Sequence, residues 1–279
     1  MRFSLGTVTI LSFVSFILSL AGCGTEPNGA ASRGKVSSYT ACSLPTSQGK
    51  GSLFGSWAAL PVSLIFDQDF YLADGGESAN AMRNAVNTWN AWGSLRGFQV
   101  FRIVNDGTGQ LAGREIPSVT DCAQQTYTTN NTDSVGIWKI RPGGRGANRR
   151  DTCPATQGGK LLFDNGSSGV QGNTDWTTNG GRIVGASVLL NYDFFNIPGK
   201  QVMDTESVLL HELGHVLGLL HSCNGSSSTS SDITSAPNCG VVKSSEISFL
   251  QAVMFPYLAN NQVRRDLRQN DYSRINCLY

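Results

Sequence analysis

Apolar and polar positions fall into short, well-separated blocks along the 279-residue chain. The first block is continuous: Phe3 to Leu20 is almost wholly apolar, follows Arg2, and ends on Leu20, Ala21, Gly22 and Cys23. A basic start, an apolar stretch and small residues before a break describe an export signal. An uncleaved anchor is the alternative, because the run is just long enough to span a bilayer. Residues 24–56 lose periodicity and are rich in Gly, Ser and Thr, the composition of a flexible tether. From Trp57 the texture changes. Val62–Phe66 alternates as a strand does, while Ala81, Ala85, Val86, Trp89 and Trp92 share a helical spacing within Glu77–Trp92. Phe98–Val104, Val135–Ile140, Lys160–Phe163 and Arg182–Tyr192 read as further strands. The polar stretches 105–134 and 141–159 read as loops, and the Arg cluster of the second as a solvated face. One helix among strands, followed by a second helix from Asp204, predicts an α+β domain.

Composition narrows the class. Charged residues are 15% of the chain, below the ~25% usual for soluble domains, with Lys+Arg 21 against Asp+Glu 20. Residues 1–22 hold one of the basic side chains and no acidic one, so the mature chain is formally neutral. Neutrality without a basic stripe excludes a nucleic-acid protein held by bulk electrostatics. A hydrophobic content of 40% excludes wholesale disorder, and a single long apolar run excludes a polytopic membrane protein.

The cysteines agree with export. Leu20-Ala21-Gly22-Cys23 resembles the bacterial lipobox, whose Cys is acylated and becomes the first mature residue. That resemblance implies a signal peptide over 1–22, a lipidated tether over 23–56, and a domain over 57–279. Gly24 after the Cys, by resemblance to diderm lipoproteins, implies the outer membrane or cell surface. Contact with membrane is then through the lipid only, and the domain is expected to be monomeric. Setting Cys23 aside leaves Cys42, Cys122, Cys153, Cys223, Cys239 and Cys277. Six thiols in an exported chain read as three disulfides. Cys223 and Cys239 bracket a Ser/Thr/Asn-rich segment and are the first pair expected, worth ~3 kcal/mol by loop closure. Cys122–Cys153 and Cys42–Cys277 follow by elimination.

The second helix carries the chemistry. Asp204 suits an N-cap, and Glu206 suits the positive end of the helix dipole. Residues four apart stack on one helix face, so His211 and His215 present two imidazoles that can share one Zn²⁺. Glu212 lies beside them, where its carboxylate can take a proton from water on the metal. On a straight helix His221 would lie ~9 Å further along and rotated by roughly 120°. Gly218 resolves this, because glycine can take positive φ and end the helix so that the chain turns back. Three ligands with an open fourth position is the catalytic arrangement of zinc. The chain has three His in total, and all three occupy these positions.

His211 through His221 matches HExxHxxGxxH, the zinc motif of the metzincin metallopeptidases. Met254, within Ala252-Val253-Met254-Phe255-Pro256, resembles the Met-turn of that group. Ser222 after the third histidine and Pro256 two residues after Met254 resemble the matrixin branch, as do Trp89 ahead of Phe98 and the closing pattern Leu267, Asp271, Ile275, Leu278, Tyr279. The resemblance implies a zincin-like fold with a mixed twisted sheet, an active-site helix, a Met-turn and a C-terminal helix. It implies one catalytic Zn²⁺ on His211, His215 and His221, Glu212 as general base, and hydrolysis of a polypeptide substrate. The substrate is expected to lie extended along a sheet edge near Leu161–Phe163, beside a pocket walled by the active helix and residues 240–258.

The chain also departs from the family. No cysteine-switch motif is present, and no histidine remains for a second, structural zinc. Cys42 as a zinc-capping thiol competes with its place in a bridge, which disulfide parity favours. Ca²⁺ stays open: Asp164, Asn165 and Asp175 are oxygen donors in a Gly-rich loop but equally ordinary turn residues. Equating Tyr257 with the transition-state tyrosine of other metzincin branches has no support in the spacing. A surface binding module or adhesin without turnover, and a zinc amidase acting on cell-wall peptide, are the alternative functions.

Overall fold

The computed structural model describes residue 42, residues 53–66, 77–104, 134–140, 171–191, 203–223, 239, 247–259 and 261–279. All of these belong to the unit Ser37–Tyr279. The lipobox with Cys23, the strand expected at 160–163, the loop expected at 141–159, Cys122, Cys153, Asp164 and Asn165 lie outside the described residues, as does the loop expected at 105–134 apart from Ser134, which starts a strand. Those residues form six strands and four helices: β1 (Ser56–Trp57), β2 (Val62–Phe66), α1 (Glu77–Ser94), β3 (Phe101–Ile103), β4 (Ser134–Ile140), β5 (Gly172–Asn179), β6 (Arg182–Asn191), α2 (Thr205–Val216), α3 (Ile247–Gln251) and α4 (Gln269–Ile275). The α+β class expected from the sequence is the class observed.

One mixed sheet organises the domain. Its order is β3-β2-β4-β6, and every pairing along that path is parallel. β1 also pairs parallel with β6, at Arg182 and Ile183, ahead of the stretch that β4 occupies. β5 pairs antiparallel along the length of β6 from Arg182 to Leu190. It therefore takes the edge of β6 opposite to β1 and β4. Among the described residues no strand pairs with the other side of β5.

Strand alternation accounts for which side chains enter the core. Val62, Leu64 and Phe66 of β2, and Val135 and Ile137 of β4, join the main buried cluster with the helices, whereas Ile65 is buried outside it. In β6 the inward set is Ile183, then Ala186, Val188 and Leu190. The change of parity falls at an irregularity in the β5–β6 register, where Thr177 faces Gly185 but Thr178 faces Ile183. Val184 is the extra residue, and a bulge of this kind switches which side chains point inward.

Helix α1 lies against α2 through Trp89, which is fully buried and donates from Nε1 to the Leu210 carbonyl at 3.1 Å. Asn90 ties the same helix to β3: its Oδ1 accepts from the Val100 and Phe101 N–H groups at 3.0 and 2.8 Å. The helix expected over Glu77–Trp92 thus forms, and the strand expected over Phe98–Val104 shortens to Phe101–Ile103 because Asn90 takes up the backbone groups at its start.

The N-terminal boundary moves. The tether was expected to run to residue 56, yet Leu53 forms an antiparallel bridge with Leu219, and Cys42 is bonded to Cys277 with Cα atoms 4.6 Å apart. The packed domain includes these residues. The Cys223–Cys239 pairing is also present, with Cα atoms 5.1 Å apart.

Asp204 caps α2 by accepting from the Ser207 N–H at 2.8 Å, and Arg265 pairs with its carboxylate. Burial raises the Asp204 pKa, but the bonds from Arg265 and Ser207 outweigh it and hold the carboxyl below its ordinary value. A depressed carboxylate pKa contributes stability that is present above the ordinary value and lost as pH falls through the folded one. Asp204→Ala is expected to cost about 1 kcal/mol at neutral pH, and the deficit should shrink below about pH 4. Urea unfolding at pH 7 and pH 3 checks this; an equal deficit at both would contradict it.

Candidate metal centre

Helix α2 presents the first two histidines as their spacing requires. The His211 and His215 ring centroids are 4.7 Å apart, and His221 lies 5.3 and 4.8 Å from them. One ligand nitrogen from each ring falls within 4.8 Å of the others, close enough to share one cation. Backbone carbonyls choose which nitrogen is used. His211 Nδ1 bonds to the Val253 carbonyl at 2.8 Å and His215 Nδ1 to the Leu219 carbonyl at 2.7 Å, which leaves Nε2 of each ring for a metal.

The turn that delivers His221 is a Schellman motif. Gly218 has φ +89°, its N–H donates to the His215 carbonyl at 2.7 Å, and the Leu219 N–H donates to the Gly214 carbonyl at 3.0 Å. A second reason for glycine here comes from far away in sequence. The N-terminal segment crosses this turn so closely that a Cβ on Gly218 would lie 1.8 Å from the Gly55 carbonyl oxygen. The Phe54 N–H donates to the Gly218 carbonyl at 2.8 Å across the same crossing. Beyond the turn, buried Arg274 of α4 donates to the carbonyls of Leu220 and His221. Burial lowers the Arg274 pKa to about 10, so it stays charged at neutral pH.

Beneath the histidines the Met-turn is fixed by three contacts. Met254 is fully buried, and its Sδ would lie 2.3 Å from a Cβ on Gly214, so this helix glycine makes room for the methionine. Asp271 of α4 accepts from the Val253 and Met254 N–H groups at 2.9 and 3.2 Å. Ser222 donates its N–H to the Met254 carbonyl at 2.8 Å and its hydroxyl to the Phe249 carbonyl at 2.7 Å. Met-turn, third histidine and C-terminal helix are thereby one hydrogen-bonded unit.

Glu212 is buried beside the ligands and meets β5. Thr174 Oγ1 donates to its Oε2 at 2.6 Å, and a Cβ on Gly172 would lie 2.5 Å from its Oε1. Trp176, two residues on, donates from Nε1 to the His215 carbonyl at 2.8 Å. Burial raises the Glu212 pKa to about 7; the nearby Asp175 charge adds to this and the Thr174 hydrogen bond opposes it. The imidazoles move the other way. Burial first, and neighbouring positive charge second, lower His211 to about 3 and His221 to about 4, and hold His215 well below its ordinary value. All three are neutral at physiological pH, the state that binds metal.

The structure thus brings together His211, His215, His221, Glu212 and Met254. Asp175 is a correction: it was grouped with loop residues but sits within β5. Asp164 and Asn165 lie outside the described residues. Tyr257 is exposed and packs on Phe255, with ring centroids 5.7 Å apart. The sequence reading missed β5 with Gly172, Thr174 and Trp176, the parts played by Asp271 and Arg274, and the crossing at Gly55. Only Asp271 had a local signal, as an acidic residue in a closing helix pattern.

Three neutral imidazoles in reach of one another, with an adjacent buried carboxylate, are a donor set suited to Zn²⁺. Fold and site together resemble those of a zinc-dependent metallopeptidase. The matrixin family model matches residues 123–237, which contain the three histidines and Glu212. Together with the histidine triad, that match is what a matrixin-like metzincin domain would give. No curated protein matches the chain.

Two glycines of positive φ allow the crossing to be isolated. Gly97 has φ +83° with nothing within 4 Å of a built Cβ, whereas at Gly218 the Gly55 carbonyl fills that space. Gly97→Ala should cost ~1 kcal/mol for the left-handed backbone alone. Gly218→Ala should cost at least ~2 kcal/mol more, as overpacking is added to strain, and should lose zinc. Denaturation and zinc content of both variants test this; equal losses would show that the crossing is not rigid.

Proposed function

We propose that the chain is a zinc-dependent endopeptidase that hydrolyses proteins outside the cell or in its envelope, with Glu212 as general base. The observation that carries this reading is the buried Glu212 carboxylate beside three converging imidazoles and bonded to strand β5. Bound zinc supplies Lewis acidity, activating a water and polarising the scissile carbonyl.

The chain's own groups do the rest. Neutral His211, His215 and His221 would hold the ion, and the carbonyls of Val253 and Leu219 fix the tautomers of the first two rings. Glu212 accepts the water proton on a carboxylate oxygen and returns it to the leaving amine. A carboxyl raised toward 7 is suited to both directions of that transfer near neutral pH. Met254 supplies the apolar floor under the ligands. Among the described residues no strand pairs with the side of β5 opposite to β6, and that side is suited to an extended substrate that adds a strand; the edge first expected at Leu161–Phe163 lies outside the described residues.

Export through the N-terminal signal and anchoring by a lipid on Cys23 belong to the same proposal. The bridges Cys42–Cys277 and Cys223–Cys239 support an oxidising compartment.

Cleavage of casein or gelatin by residues 24–279, prepared with disulfides formed, tests the reading. Activity should disappear with a chelator and return with zinc. Glu212→Ala should retain zinc and lose at least ~10²-fold in rate. Undiminished cleavage by Glu212→Ala would remove it as the base, and zinc binding without cleavage of any protein would favour a binding module.

A further inference from the structure

We propose that Thr174 is a positioning residue for Glu212: with Gly172, it makes strand β5 set the direction in which the Glu212 carboxylate points. The inference rests on the general-base reading of Glu212 and adds to it a part of the machinery that lies off the metal helix.

The two carboxylate oxygens have different surroundings. Oε2 accepts the Thr174 hydroxyl at 2.6 Å. That hydroxyl also lies 3.4 Å from the Glu212 main-chain carbonyl, but it has one proton, and the shorter contact to a charged acceptor takes it. Oε2 is thereby tied to the strand. Oε1 lies over Gly172, where a Cβ would come within 2.5 Å of it, 2.9 Å of Cδ and 3.0 Å of Cγ. Glycine weakens a strand, and Gly172 is not among the positive-φ glycines. What its missing side chain provides is therefore space, and the carboxylate fills that space.

The pleat makes this a single device. Gly172, Thr174 and Trp176 alternate along β5 and share one face, and in turn they meet the two ends of the Glu212 carboxylate and the His215 carbonyl. The base is thus fixed relative to the strand along which a substrate would lie, as well as to the helix that carries the ligands. With Oε2 engaged, Oε1 is the oxygen left to take up a proton. A flexible Glu side chain on the helix alone would sample other rotamers, and misplacement of a catalytic group by ~1 Å costs up to ~10²-fold in rate.

The test compares Thr174→Val, Thr174→Ser and Glu212→Ala for zinc content, kcat and KM on casein. Thr174→Val keeps the shape and removes the donor. It should retain one zinc per chain and a KM within about twofold, while kcat falls ~10- to 100-fold. Thr174→Ser restores the donor and should return kcat to within about threefold of the parent. Parent-like kcat in Thr174→Val, or equal losses in the Val and Ser variants, would overturn the proposal, as would loss of zinc or folding in Thr174→Val with Thr174→Ser unimproved. Glu212→Ala separates the two layers. If it stays active, the base assignment itself fails; if it is inactive while Thr174→Val is unaffected, only the positioning role fails.

Discussion

Three imidazoles from one short segment can meet only if the backbone reverses between His215 and His221, and that reversal is the constraint on which the rest of the domain depends. A helix cannot place residues six apart on one side. The chain therefore stops α2 with a left-handed glycine and buries the turn under distant parts of the chain. Gly55 closes it from the N-terminal side, Arg274 takes the carbonyls of Leu220 and His221, and Ser222 ties the following strand of chain to Met254. The disulfides Cys42–Cys277 and Cys223–Cys239 anchor segments next to the same turn. Constraining the unfolded chain near the ligands lowers the entropy that must be lost to assemble the site.

A second consequence concerns buried charge. Asp271 and Arg274 are both fully buried on α4, an arrangement that is costly unless each group is bonded. Burial raises the Asp271 pKa while the backbone bonds from Arg268, Val253 and Met254 and the Arg274 charge pull it down. Bonds from these two side chains also fix the Met-turn and the third ligand. The C-terminal helix thus has its chemistry spent on the metal centre, although no residue of α4 is a ligand.

What the sequence made legible was local. The pair His211 and His215, the carboxylate between them, the Asp204 cap and the Gly218 stop all lie within one helical segment, where spacing converts directly into geometry. The apolar strands β2, β4 and β6 and the helix α1 were legible because their inward faces are filled by Val, Ile, Leu and Trp. Strand β5 was not, because its sequence Gly-Asn-Thr-Asp-Trp-Thr-Thr-Asn serves a carboxylate and a helix carbonyl on its inner face rather than a core. Leu53–Gly55 reads as tether by composition, and its role is set by a contact with residue 218 that no local pattern carries. Asp271 and Arg274 look like ordinary helix charges until the fold places them under the Met-turn.

The central claim is that His221, delivered by the Gly218 turn, completes a three-imidazole site for one zinc. X-ray absorption spectroscopy of the zinc-loaded protein, disulfides intact, tests it most directly, with His221→Ala measured alongside. The account predicts one zinc per chain with three imidazole nitrogens and a light, non-protein ligand in the parent, and two imidazoles with weakened retention in the variant. A zinc closed by four protein ligands, or a coordination shell unchanged by His221→Ala, would contradict it.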